Sequence, residues 1–119
     1  MPNAPIAPNG SDHAMLDFEG IAIGQCDLNG AWLRVNRAMC DLLGYSPSEL
    51  LGKSLDKLVH PDDRDQVLNG LALIRQGNVK FHRSENHFLR KDGSPIWLDL
   101  SVAPILGPDE RPARISAAA

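Results

Sequence analysis

His60, Asp62 and Asp63 place an imidazole and two carboxylates within four residues, the donor types that a divalent metal or an acid–base pair would use. They stand shoulder to shoulder around Pro61, however, where carboxylates serve the positive end of a helix dipole and its unpaired amides. Capping is therefore their expected role. His82 and His87 are five residues apart in a run with strand character, a spacing that sends them to opposite faces and keeps them from sharing a metal. Both are expected on a solvated strand. Cys26 and Cys40 fit neither a disulfide framework nor a CxxC motif and read as free buried thiols. Asp99 and Ser101 share one face of a strand, which a sheet surface explains. The sequence holds no nucleophile paired with a base, no glycine-rich phosphate loop and no spaced carboxylate pair, so no catalytic centre and no enzyme activity are expected.

The elements that carry these residues are marked by their punctuation. Met1 to Gly10 contain Pro2, Pro5 and Pro8 and read as a flexible leader, with one domain over 11–119. Ser11 can cap a short helix, Asp12 to Phe18, with Ala14, Met15 and Phe18 as its apolar stripe. Ile21 to Asp27 alternates as a strand, and Asn29-Gly30 joins it to a second strand, Trp32 to Val35, through the turn that favours a hairpin. Asn36 caps a helix stopped by Gly44. Ser46, Pro47 and Glu49 form a capping box opening one turn, Ser54 starts another, and Pro61 opens a helix to about Gln76 with Val67, Leu68, Leu71 and Ile74 on one face. Lys80 to Arg90, the turn Lys91-Asp92-Gly93, and Ile96, Leu98, Leu100 and Val102 at spacing two make a second hairpin. Gly107 to Glu110 turns the chain into a fifth strand, Ala113 to Ala117.

With 119 residues, 43% of them hydrophobic and 23% charged, the chain is one globular domain that buries about two-thirds of its surface. Its 15 acids outnumber 12 bases for a net charge of -3, which argues against the basic patch of a nucleic-acid-binding domain. No apolar run approaches the length of a bilayer-spanning helix and no signal peptide opens the chain, so a cytoplasmic location without membrane contact is expected.

Two strands, several short helices and three more strands make an α+β arrangement with helices on one face of a five-stranded antiparallel sheet. The run from Leu28 to Cys40 followed by Leu42-Leu43-Gly44-Tyr45-Ser46, then His60-Pro61-Asp62-Asp63, then Leu89-Arg90-Lys91-Asp92-Gly93-Ser94 with Trp97, closely resembles the PAS sensory-domain family. The resemblance spans about Phe18 to Ala119 and implies the PAS fold with an N-terminal helix. It also implies a signal-transduction module of a larger bacterial regulator, feeding a histidine kinase, a cyclic-dinucleotide enzyme or a DNA-binding output domain of the same parent chain.

The resemblance further implies a small-molecule ligand between the sheet and the helices. Strand and helix periodicity then put Ile21, Ile23, Leu33, Val35, Met39, Leu43, Leu58, Leu71, Leu98 and Leu100 around it. Haem-binding members supply an iron ligand from the long helix, but Asp62 to Gln76 contains no histidine; His60 lies just before it. Photoactive flavin-binding members carry a cysteine in the preceding segment, and Lys53 to His60 contains none. No cofactor is expected. Alternation sets Trp32 opposite Leu33 and Val35, and Trp97 opposite Ile96 and Leu98, which places both tryptophans on the sheet face away from the helices. Two covers suit them: the N-terminal helix with Met15 and Phe18, or a second copy of the chain in a homodimer. A ligand-free dimerisation scaffold is the first rival to a ligand sensor, and a redox sensor holding haem or flavin is the second.

Overall fold

The computed structural model describes residues 20–77 and 79–119. The N-terminal helix expected over Asp12 to Phe18, with Met15 and Phe18, lies outside the described residues. Alternating runs become β1 (Ile23–Cys26), β2 (Trp32–Val35), β3 (His82–Leu89), β4 (Pro95–Leu106) and β5 (Pro112–Ala118). They form one antiparallel sheet in the order β2-β1-β5-β4-β3. Helices α1 (Arg37–Leu43), α2 (Pro47–Leu50) and α3 (Arg64–Arg75) and two 3₁₀ turns, Leu55–Leu58 and Pro61–Asp63, lie between β2 and β3 in sequence. Residues from these elements and from the sheet's inner face share one buried apolar cluster.

Local chemistry explains each boundary. Asp27 accepts the amides of Asn29 and Ala31 at 2.9 and 3.0 Å, while Gly30 takes a φ of 91° in which an L side chain would be strained. Asn36 starts α1 by accepting the Met39 amide at 2.9 Å. The same side chain accepts the Ile23 amide and donates to the Ile21 carbonyl, so one cap also fastens α1 to the start of β1. Ser46 and Glu49 close the expected capping box of α2. Glu49 also pairs with Lys91 of the β3–β4 turn, and that hydrogen bond, followed by the one from the Ser46 amide, draws its carboxyl from 4.5 down to about 2.

Because the folded carboxyl titrates below its ordinary value, this pin favours the fold above pH 4.5 and fades as the pH falls toward about 2. The Tm gap between the wild type and Glu49→Gln should therefore be widest above pH 4.5 and close by about pH 2. A gap that is constant over a pH series of melting curves would contradict the pairing.

The register of β2 departs from simple alternation. A β-bulge opposite Gln25 and Cys26 pairs Gly24 with Val35 but Cys26 with Trp32, so Trp32 and Val35, three residues apart, share the inner face. Trp32 is 2% exposed and Leu33 is 45% exposed, the reverse of the expected placement. The Trp32 ring fits because Gly24 has no side chain: a Cβ there would lie 2.3 Å from Cζ3. Gly24, Cys26 and Ala22 consequently face inward, and Ile21 and Ile23 face outward, again the reverse of the expectation. Small residues mark the inner side of β1 because an indole occupies the space above them.

Candidate functional site

The strand β3 reads His-Arg-Ser-Glu-Asn-His-Phe-Leu and is polar on both faces, so its own sequence names no buried side. Its pairing with β4 decides: Ser84 lies opposite Leu100, Asn86 opposite Leu98 and Phe88 opposite Ile96. These β4 residues face the core, and partners across a ladder share a face. His82, Ser84, Asn86 and Phe88 therefore line the inside of the sheet, while Arg83, Glu85 and His87 line the outside.

Asn86 is fully buried. The Ser84 hydroxyl donates to its Oδ1 at 2.8 Å, and its Nδ2 has no hydrogen-bond partner. A hydroxyl can donate or accept, so turning the amide over exchanges the unpaired end without pairing both. An unmet group of this kind costs about 1–3 kcal/mol. His82 is the second such group: its Nε2 is buried and unpaired, and its ring lies against Gly70 of α3, where a Cβ would stand 2.6 Å from Cδ2. Trp32 Nε1 is the third. Four strand steps separate β2 from β3, roughly 19 Å along the sheet.

Of the expected ligand-lining residues, Met39, Leu43, Leu58, Leu71 and Leu100 are buried in the core, with Val35 and Leu98 packed against it. Ile21, Ile23 and Leu33 lie on the other side of the sheet. Sequence reasoning missed Ser84 and Asn86. The signal was available, because counting back from the Lys91-Asp92-Gly93 turn puts Asn86 opposite Leu98. Cys26 stands within this core with its thiol pushed up to about 12, first by burial and then by the charge of Asp27. Cys40 is raised in the same way, by burial and by Asp41. Neither thiol is primed as a nucleophile.

The His60-Pro61-Asp62-Asp63 turn caps, as expected, but it also latches the sheet. His60 Nδ1 accepts the Asp62 amide at 3.1 Å. The His60 amide donates to the His87 carbonyl at 2.7 Å, and the Asp63 carboxylate accepts the His87 amide at 2.7 Å. The outer edge of β3 is thereby covered. Asp63→Ala should lower stability by about 1.5 kcal/mol, the range of a hydrogen bond to a charged acceptor; an unchanged urea midpoint would contradict the latch. Among the described residues no group of three or more His, Cys, Asp or Glu could hold a metal ion.

On the outer face, Arg83 and Asp99 pair, and Asp99 is held below its ordinary range by that guanidinium. Trp97 is 61% exposed and packs against His87, the two rings tilted with their centroids 3.5 Å apart. Trp97 thus stands where it was expected, and Trp32, buried against the helices, does not join it.

The family profile described as PAS fold matches residues 33–119. The chain belongs to the PAS family. The PAS domain is 27% identical over 97 residues to the probable diguanylate cyclase DgcE of Escherichia coli (strain K12), covering 82% of this chain and 9% of that protein. It is 31% identical over 90 residues to the sensor histidine kinase TmoS of Ectopseudomonas mendocina, covering 76% of this chain and 9% of that protein. Its fold matches the crystal structure of the PAS domain of a protein from Colwellia psychrerythraea with a TM-score of 0.81, 23% identity and 91% of each chain covered. The chain is homologous to the sensor regions of such signalling proteins and spans a small part of their length. No helix among the described residues is long and apolar enough to cross a membrane.

Proposed function

We propose that this PAS domain is the non-catalytic input module of a larger bacterial signalling chain and recognises a small molecule between the inner sheet face and the helices. The observation that carries the reading is the Asn86 amide, fully buried and half-satisfied among apolar neighbours. Ligand sites are mostly apolar with a few fixed polar groups. Met39, Leu43, Leu58, Leu71, Leu98 and Leu100 supply the apolar wall and Asn86 the polar point. The kinase and cyclase relatives support placing an output domain in the same parent chain.

Mass spectrometry of the purified protein tests this, first native and then denatured. The wild type should release a small molecule on denaturation, and Asn86→Leu should lose it while keeping its fold. An identical bound mass in both proteins, or none in either, would overturn the reading.

The exposed Trp97 beside His87 favours a second role for the outer face, a homodimer contact. Aromatic anchors carry much of the association energy, so Trp97→Ala should weaken a dimer about fivefold or more in sedimentation. A strict monomer in the wild type would remove this role.

A further inference from the structure

An open cleft, of about 560 Å³, lies between α1 and the inner edge of the sheet. Its floor is aliphatic and shallow, made by Ala22, Ala38, Leu42 and Leu98, and its charged lining consists of Asp41 and Arg90. Arg90 Nε donates to the Leu42 carbonyl at 3.3 Å, which ties the guanidinium to the residue next to Asp41. Both charges therefore belong to one end of α1. They do not neutralise one another: the Asp41 side chain makes no hydrogen bond or ion pair with any described residue, and the Nη groups of Arg90 have no described hydrogen-bond partner.

The chemistry of that lining selects among ligands. An anion would meet the guanidinium but face Asp41, and a cation would meet Asp41 but face Arg90. A zwitterion satisfies both, because the planar guanidinium grips a carboxylate through paired hydrogen bonds and the Asp41 carboxylate accepts an ammonium. The floor of alanines and leucines takes an aliphatic side chain and offers a polar one no partner. We propose that this cleft binds a free α-amino acid with an aliphatic side chain, its carboxylate on Arg90 and its ammonium on Asp41. The proposal stands apart from the Asn86 reading and shares only Leu98 with it.

The test uses three probes of one shape: L-leucine, 4-methylpentanoate without the ammonium, and isoamylamine without the carboxylate. Methyl NMR titrations of the whole chain would follow Ala22, Ala38, Leu42 and Leu98. Leucine should bind at least about tenfold more tightly than either analogue, a difference of about 1.4 kcal/mol. Arg90→Gln should weaken leucine and 4-methylpentanoate about tenfold and bind isoamylamine no less tightly. Asp41→Asn should weaken leucine and isoamylamine and bind 4-methylpentanoate no less tightly. Asp41 is exposed and holds nothing among the described residues, so its variant decides the matter even if Arg90→Gln disturbs α1. Equal affinity for the three probes, an equal loss of all three probes in either variant, or no shift at these methyls with leucine at tens of millimolar would each overturn the proposal.

Discussion

Trp32→Ala should lower the unfolding free energy by about 3–5 kcal/mol, whereas Leu33→Ala, its neighbour on β2, should cost about 0.5 kcal/mol or less. The two side chains are similar in apolar character and differ in where the bulge sends them. Trp32 is 2% exposed over Gly24, and its loss would leave a cavity at the β1–β2 end of the core, while Leu33 at 45% exposed leaves little behind. The unpaired indole Nε1 returns part of the loss when it is removed, which favours the lower end of the range. Urea denaturation of both variants reads the result. Comparable losses at the two positions would mean that β2 follows plain alternation.

Gly24→Val should cost about 3 kcal/mol or more, and more than any other single substitution in β1. Its Cβ would stand 2.3 Å from Trp32 Cζ3, 2.8 Å from Cε3 and 2.9 Å from the Arg34 carbonyl oxygen. The indole cannot swing aside, because it is packed into the core, and the carbonyl belongs to the neighbouring strand. Shrinking the partner tests the cause directly. Gly24→Ala combined with Trp32→Leu should be less destabilising than the sum of the two by about 1 kcal/mol or more, since each change relieves the other. Strict additivity in that cycle would show that the glycine serves the backbone and not the indole.

These two positions also show where the sequence was legible and where it was not. The hairpins were, because Gly30 and Gly93, with φ of 91° and 86°, sit in turns whose geometry needs them. The short helices were, because Asn36, Ser46 and Glu49 announce caps that form as written. The register of β2 was not: one extra residue in a bulge reverses every face after it, and nothing in Trp-Leu-Arg-Val marks the bulge. The inner side of β1 was hidden for a related reason, since Gly24 and Cys26 look less like core than Ile21 and Ile23. On β3 the alternation carried no hydrophobic signal at all, so Ser84 and Asn86 passed for solvated residues until pairing with Leu100 and Leu98 fixed their side.

The half-satisfied amide of Asn86 holds up the claim that this PAS domain senses a small molecule on its inner sheet face. A high-resolution crystal structure of the protein as purified from its own host tests it most directly. The account predicts connected density for several non-hydrogen atoms, one of them an oxygen within about 3 Å of Asn86 Nδ2, the distance of an ordinary hydrogen bond. An isolated water at that position, or no density there beyond the protein's own side chains, would contradict it.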